Sequence, residues 1–278
     1  MEYEEIGLNP DLDKKLVESL QHPGDFLYDL SFVWALQVYP VLAPQTLFQM
    51  TVNDLQVLPV FTTQEDWRIF MSKLQGAALV DGWVERPLIG LLNEIKEKEL
   101  PIDTIGFNLK TASDAATPNT EYFNLDQLIA FINAYGLILN VVETPENQNM
   151  PKELRIYYLP AYQRQSADGK ITRVFPQMTS NTGKNFMPVF DRLSALAQWY
   201  QVPGFGDVFR ENHGSILTTT FQQLKEPGNL LGGIDGIAIN AESNHDALVY
   251  FDDDFDRSII GQLPEIHDNT GPTWELPD

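Results

Sequence analysis

Ile234-Asp235-Gly236-Ile237-Ala238-Ile239-Asn240 repeats the pattern of Ile102-Asp103-Thr104-Ile105-Gly106-Phe107-Asn108, 132 residues upstream. In each stretch apolar residues alternate with small ones between an opening Asp and a closing Asn, which reads as a strand bounded by turn-forming side chains. A second pair lies at nearly the same offset. Leu58-Pro59-Val60-Phe61 recurs as Met187-Pro188-Val189-Phe190, 129 residues later. Short identities arise by chance, but two that agree in spacing point to an internal repeat. The blocks Leu36 to Leu42 and Leu154 to Pro160 precede the two Pro-Val-Phe runs in the same order and are expected to be extended. The second copy is longer here, and its excess contains Ala167-Asp168-Gly169-Lys170, a hairpin turn signal.

Working outward, Val57 to Phe61 reads as a buried strand. Thr62-Thr63-Gln64-Glu65 then predicts a capping box, in which a Thr hydroxyl takes a free helix amide and Glu65 returns the bond. Trp67, Phe70, Met71 and Leu74 follow on one helical face. In the second copy Asp191 takes the cap position, with Leu193, Leu196, Ala197 and Tyr200 along the stripe. Further helices are expected over Pro87 to Lys98 and Leu217 to Lys225, from Asn9-Pro10 to Gln21, and after Asn124. Thr144 to Met150 is turn-like and marks a boundary. Strands alternating with helices predict an α/β (α+β) chain of two tandem related units, each a mixed sheet with flanking helices. The expected division is 1–145, 146–245 and an acidic extension over 246–278.

These motifs resemble the N-terminal domain of SseB-like bacterial proteins. That family has strands of the types V-x-V-P, P-V-F-T-S and D-G-I-V-L-N-P, which Val38-Tyr39-Pro40, Leu58 to Thr63, and the two Ile-Asp stretches match in turn. The Pro expected after the closing Asn is Leu109 in one copy and Ala241 in the other, and Phe190 lacks the following Thr-Ser. The resemblance implies little about function, since that family has no established catalytic residues.

The 278 residues carry 18 basic and 39 acidic side chains, a net charge of −21. Such a charge disfavours nucleic acid and anionic membrane as partners. Residues 1–30 contribute −6 and residues 241–278 contribute −9, so the acidity belongs mostly to the flanks. No cysteine is present, which excludes disulfides, thiolate metal sites and a cysteine nucleophile. No run of about 18 consecutive apolar residues occurs and the first residues lack an apolar core, so the expected location is the cytosol.

Chemistry-bearing motifs are sparse. His22, His213, His245 and His267 are scattered, Thr182-Gly183-Lys184-Asn185 lacks the glycine and hydroxyl of a phosphate loop, and Gly204-Phe205-Gly206 lacks the third glycine of a dinucleotide fingerprint. No cofactor is expected. Asp252, Asp254 and Asp256 could offer hard oxygens to a divalent cation, although no EF-hand spacing fits. Asp103, Asn108, Asp235 and Asn240 could line two equivalent sites or serve as turn formers. Phe205, Phe209 and Trp274 are candidate partner contacts. The expected function is a non-enzymatic protein-binding module; the alternatives are a hydrolase or transferase using carboxylates, or a small-ligand sensor.

Overall fold

The computed structural model describes residues 9–73, 82–110, 118–165, 169, 171–212, 214–225, 233–241 and 247–251. The chain opens with two helices, α1 (Pro10–Gln21) and α2 (Phe26–Val38). As the sequence predicts, the Asn9 side chain caps α1 by accepting the Asp11 amide, and Pro10 sits where a missing amide breaks no bond. Three strands follow, β1 (Val41–Pro44), β2 (Met50–Val52) and β3 (Leu55–Val60), then α3 (Gln64–Lys73), β4 (Trp83–Arg86), α4 (Leu88–Glu97), β5 (Thr104–Phe107) and β6 (Glu121–Asn124).

The long helix α5 (Leu125–Val142) and the short α6 (Pro145–Asn149) lead into the second half. It comprises β7 (Ile156–Gln165), β8 (Ile171–Val174), β9 (Met178–Thr179), β10 (Asn185–Val189), α7 (Leu193–Tyr200), α8 (Gly206–Glu211), β11 (Ser215–Thr220), α9 (Phe221–Lys225), β12 (Gly236–Ile239) and β13 (Ala247–Tyr250). The fold is α/β with mixed sheets.

Two four-stranded sheets carry the same connectivity, β2-β3-β5-β6 and β9-β10-β12-β13. Each has a parallel central pair, β3 with β5 and β10 with β12, flanked by antiparallel edges. The registers agree: Leu58 faces Ile105 and Pro59 faces Gly106, while Met187 faces Ile237 and Pro188 faces Ala238. The agreement extends to single bridges. Leu42 and Phe61 exchange both backbone bonds, as do Tyr158 and Phe190. The Leu125 amide donates to the Asp103 carbonyl, and the Phe251 amide to that of Asp235. Outside this pattern the second half adds β8, joined to β7 as the expected hairpin, and α8.

Several local expectations are corrected. Leu36 to Val38 are not extended but end α2, and the strand begins only at Val41. Residues 217–220 belong to strand β11, where the β-branched run Thr218-Thr219-Thr220 pairs with β7, and the helix starts at Phe221. Thr144 to Met150 contains the one-turn α6, capped by the Thr144 hydroxyl. The Thr63 hydroxyl accepts the Asp66 amide at 3.1 Å and donates to the Asp66 carboxylate at 2.7 Å, so the reciprocal partner at the start of α3 is Asp66 and not Glu65.

The largest hydrophobic cluster runs through both halves, from Leu12 and Leu16 through α2, α4 and α5 to Tyr158, Phe190, Trp199 and Ile216. The boundary expected at residue 145 is therefore not a gap in the core. Helix α2 is buried almost all round, and only Asp29, Ser31 and Gln37 are polar between Phe26 and Val38. A separate cluster packs Phe61, Trp67, Phe70 and Trp83 beneath α3, and a third gathers Met187, Val189, Phe221, Ile237 and Ile239.

Candidate functional site

The four residues that open and close the repeated strands are bound up in the fold. Asp103 Oδ1 accepts the Gln56 amide at 3.1 Å and the Thr104 hydroxyl at 2.8 Å, and its own amide donates to the Gln56 carbonyl. Asp235 does the same on the other sheet, accepting the Asn185 amide at 2.8 Å, with Lys184 Nζ at 3.0 Å on its second oxygen. The Asn185 amide first, and then Lys184, hold the Asp235 carboxyl below the usual carboxylate range. Each Asp thus fixes the register of a parallel pair at its start.

The two asparagines fix the other end. Asn108 and Asn240 both adopt left-handed backbone, φ 48 and 53, where Asn is among the few side-chain-bearing residues tolerated. Asn108 Oδ1 accepts the Thr62 amide at 2.8 Å, and its Nδ2 donates to Thr62 Oγ1, to the Asn119 carbonyl and to Asp13 Oδ1. Asn240 Oδ1 accepts the Asp191 amide at 3.0 Å, and its Nδ2 donates to Asp191 Oδ1 at 2.8 Å. Both are fully buried. The asparagines are buried with both polar atoms bonded, and each Asp accepts the amide of the neighbouring strand, which is what the turn-forming alternative requires.

Around Asn108 a polar network ties α1 to the strand ends. Asp13 Oδ1 accepts from Thr62, Asn108 and Asn119, and Asp66 accepts from Thr63 and Asn119 while pairing with Lys110 at 2.9 Å. Burial pushes the Asp66 carboxyl up, but hydrogen bonds from Thr63, Lys110 and Asn119 outweigh it and hold the carboxyl below its ordinary range. Around Asn240 the corresponding charges are Asp191, Arg155 and Arg192, with Arg155 Nη1 at 2.6 Å and Arg192 Nε at 2.8 Å from the carboxylate. Burial raises the Asp191 carboxyl as well; Arg192, Asn240 and Arg155 together lower it further than burial raises it.

Asp191 is not the expected helix cap. Arg192 holds that position without a side-chain cap bond, and Glu143 at the end of α5 accepts the Leu193 amide at 2.5 Å instead. A carboxylate from the inter-half helix thus supplies the negative charge that the start of α7 favours. Burial nonetheless keeps the Glu143 carboxyl above its ordinary range, partly offset by the Leu193 amide and the Tyr158 hydroxyl.

A further polar group, which the sequence did not suggest, joins the halves. Tyr200 of α7 donates to the Asp25 carboxylate at 2.5 to 2.6 Å, and Asp25 caps α2. One turn on, Asp29 accepts from Ser19 at 2.8 Å and from Tyr135 at 3.1 Å. Burial raises the Asp29 carboxyl, and the nearby Asp25 charge adds to it. An i, i+4 acid pair at a helix start with two distant tyrosines is not a recognisable sequence pattern.

Of the aromatic candidates, Phe209 is buried and Phe205 half-buried. Phe209 is 2% exposed and packs edge-on against Trp199, Tyr200 and Tyr162, and Phe205 leans on Trp199. Phe209 therefore offers a partner no surface: helix α8 turns it inward. Gly204 and Gly206 serve the turn that makes this possible. Gly204 has φ +86, and a Cβ on Gly206 would fall 1.4 Å from the Tyr200 carbonyl oxygen. Trp274 and the aspartates 252, 254 and 256 lie outside the described residues, as do His213, His245 and His267. His22 follows α1 and stacks on Tyr28. Among the described residues no three metal-ligating His, Asp or Glu side chains come together.

The described surface also presents some apolar side chains. Leu137 is 63% exposed and Val141 37% on α5, and Val38 is 52% exposed at the end of α2. Helices α2 and α5 meet where the Gln37 amide nitrogen lies 3.0 Å from the Cβ position of Gly136. From Gln127 to Val142 the chain holds no charged residue. The helical stretch Leu125–Asn149 is long and apolar enough to cross a membrane by length and composition, a test that a core helix also passes; here a third of its most apolar window is buried.

No family model matches the chain, and no curated protein matches it. Among solved structures, Anabaena Tic22 (protein transport) is similar at 11% identity over 73% of this chain and 88% of that one, with a TM-score of 0.19. A score of that size carries no argument about fold or function.

Proposed function

We propose that the protein is a non-enzymatic, intracellular binding module that works through protein contacts, built of two SseB-like units. The observation that carries the reading is the uncharged outer side of α5, with Leu137 and Val141 exposed on it, in a chain of net charge −21. Exposed aliphatic side chains in surroundings depleted of charge are the composition of an interface centre. The fate of the polar candidates adds support: Asp103, Asn108, Asp235 and Asn240 each accept a backbone amide, of Gln56, Thr62, Asn185 and Asp191 in turn. The shared registers of the two four-stranded sheets support the two-unit part of the reading.

A photo-activatable cross-linking residue at position 137 of the intact protein, in its native cells, tests it. The expected result is discrete protein adducts from position 137 and none from a control site at the exposed Glu97 on α4. Equal yields from both sites, or none from 137, would remove the reading.

A further inference from the structure

The inference concerns what covers the α2–α5 surface, and it rests on the proposed binding role. Three observations narrow the occupant. First, the strip is neutral: its exposed polar groups are carboxamides, Asn133 and Asn140 on α5, with the partly exposed Gln37 of α2 beside them. Second, the apolar centre is made of Leu137 and Val141, which helical spacing puts on the same face of α5 as Asn133 and Asn140. Third, the molecule as a whole carries −21. A basic partner would gain nothing on a strip without carboxylates. An anionic lipid surface is repelled by the net charge before the strip can reach it.

We infer that this surface docks a second copy of the same chain in a two-fold arrangement, α5 against α5. A two-fold contact places each group against its own kind, so it needs groups that complement themselves. Carboxylates or ammonium groups repel their copies, whereas a carboxamide both donates and accepts, and Leu packs on Leu. The strip between Asp126 and Glu143 meets that requirement, and an uncharged face spares two acidic copies a contact between like charges. An 18-residue helix is about 27 Å long. A crossing of two such helices with their α2 ends falls at the small end of stable interfaces, below roughly 800 Å² per partner. The association is weak and reversible, and it strengthens with salt, because added ions screen the repulsion between the acidic copies.

Sedimentation velocity of the full chain over a concentration series, at low and at high salt, tests this. The expected result is a monomer–dimer equilibrium whose dimer fraction rises with salt. Leu137→Asp should weaken it about tenfold or more, since burying an unpaired carboxylate costs well over one factor of ten. Its melting temperature should be that of the wild type, because position 137 is exposed. Asn140→Asp should weaken the dimer as well. A monomer at every concentration and salt overturns the inference, and so does a dimer indifferent to Leu137→Asp. If the chain sediments as a monomer while position 137 cross-links to a different protein, this inference fails and the binding role stands. If it sediments as a monomer and instead binds vesicles of neutral phosphatidylcholine through Leu137, both fail.

Discussion

Phe70 in α3 and Trp199 in α7 occupy matching places, each nine residues after the Phe that closes the preceding strand and each packed on it, at 5.1 Å for Phe61 to Phe70 and 5.5 Å for Phe190 to Trp199. Their surroundings differ. Phe70 belongs to the satellite cluster with Trp67 and Trp83, while Trp199 is fully buried in the cluster that runs through α1, α2 and α5. Tyr200 and the Leu193 amide reach from the same helix to Asp25 and Glu143 in the first half. One helix is local to its own sheet; its counterpart joins the two halves. The same strand-and-helix pattern therefore serves two ends, and neighbouring side chains decide which.

The largest test of this contrast is truncation. Trp199→Ala should cost about 4 kcal/mol, at the upper part of the range for aromatic truncation, and Phe70→Ala about 3 kcal/mol, both read from urea unfolding. The contrast also predicts a difference in kind. The Trp199 variant should loosen amide exchange protection in α2 and α5, whereas the Phe70 variant should loosen it only around α3 and β4. Protection lost in α2 to the same extent in both variants would break the distinction between local and joining helix. The fully buried indole Nε1 of Trp199 finds no hydrogen-bond partner among the described residues. Replacing it by the residue of the matching position, Trp199→Phe, removes that unpaired donor and should cost far less than the alanine variant.

A smaller effect sharpens the junction side. Asp29 is held above its ordinary pKa by burial, with the Asp25 charge adding to it. The protonated form is therefore favoured by folding. Its contribution is fully present below the ordinary value near 3.8 and is lost as pH rises through the raised folded value. Asp29→Asn, which cannot ionise, should melt at a higher temperature than wild type at pH 7, and the gap should close as the pH is lowered towards 4. A gap that widens on acidification would contradict this sign. Asp66 and Asp191, whose carboxyls are held low, work in the opposite direction: they stabilise above their ordinary values and lose that contribution as pH falls.

The parts of this fold that are legible in the sequence are those where a short polar residue does one geometric task that recurs within the chain. Asp103 and Asp235 open strands, and Asn108 and Asn240 close them in left-handed backbone; the type of residue announces the turn. Helix α2 was not legible, because Phe26 to Val38 is apolar nearly all round and so lacks the periodic polar face that marks a helix. The start of α7 misled for a different reason. Its amide is satisfied by Glu143, fifty positions away, which no local pattern encodes. Phe209 looked like a surface aromatic in turn-rich sequence, and the turn itself buries it. The exposed side of α5 has no sequence signal, since Leu137 and Val141 are, by composition, indistinguishable from the buried Leu139 and Val142.

The central claim is that the repeated Asp and Asn residues hold the fold while binding belongs to the α2–α5 surface. Urea unfolding of Asn240→Ala tests it most directly. Loss of the bonds to the Asp191 amide and carboxylate, together with alanine in left-handed backbone, should lower stability by about 2 to 3 kcal/mol. Below the shifted midpoint the folded variant should associate as the wild type does. An unchanged midpoint with association abolished would place Asn240 at a binding site and contradict the claim.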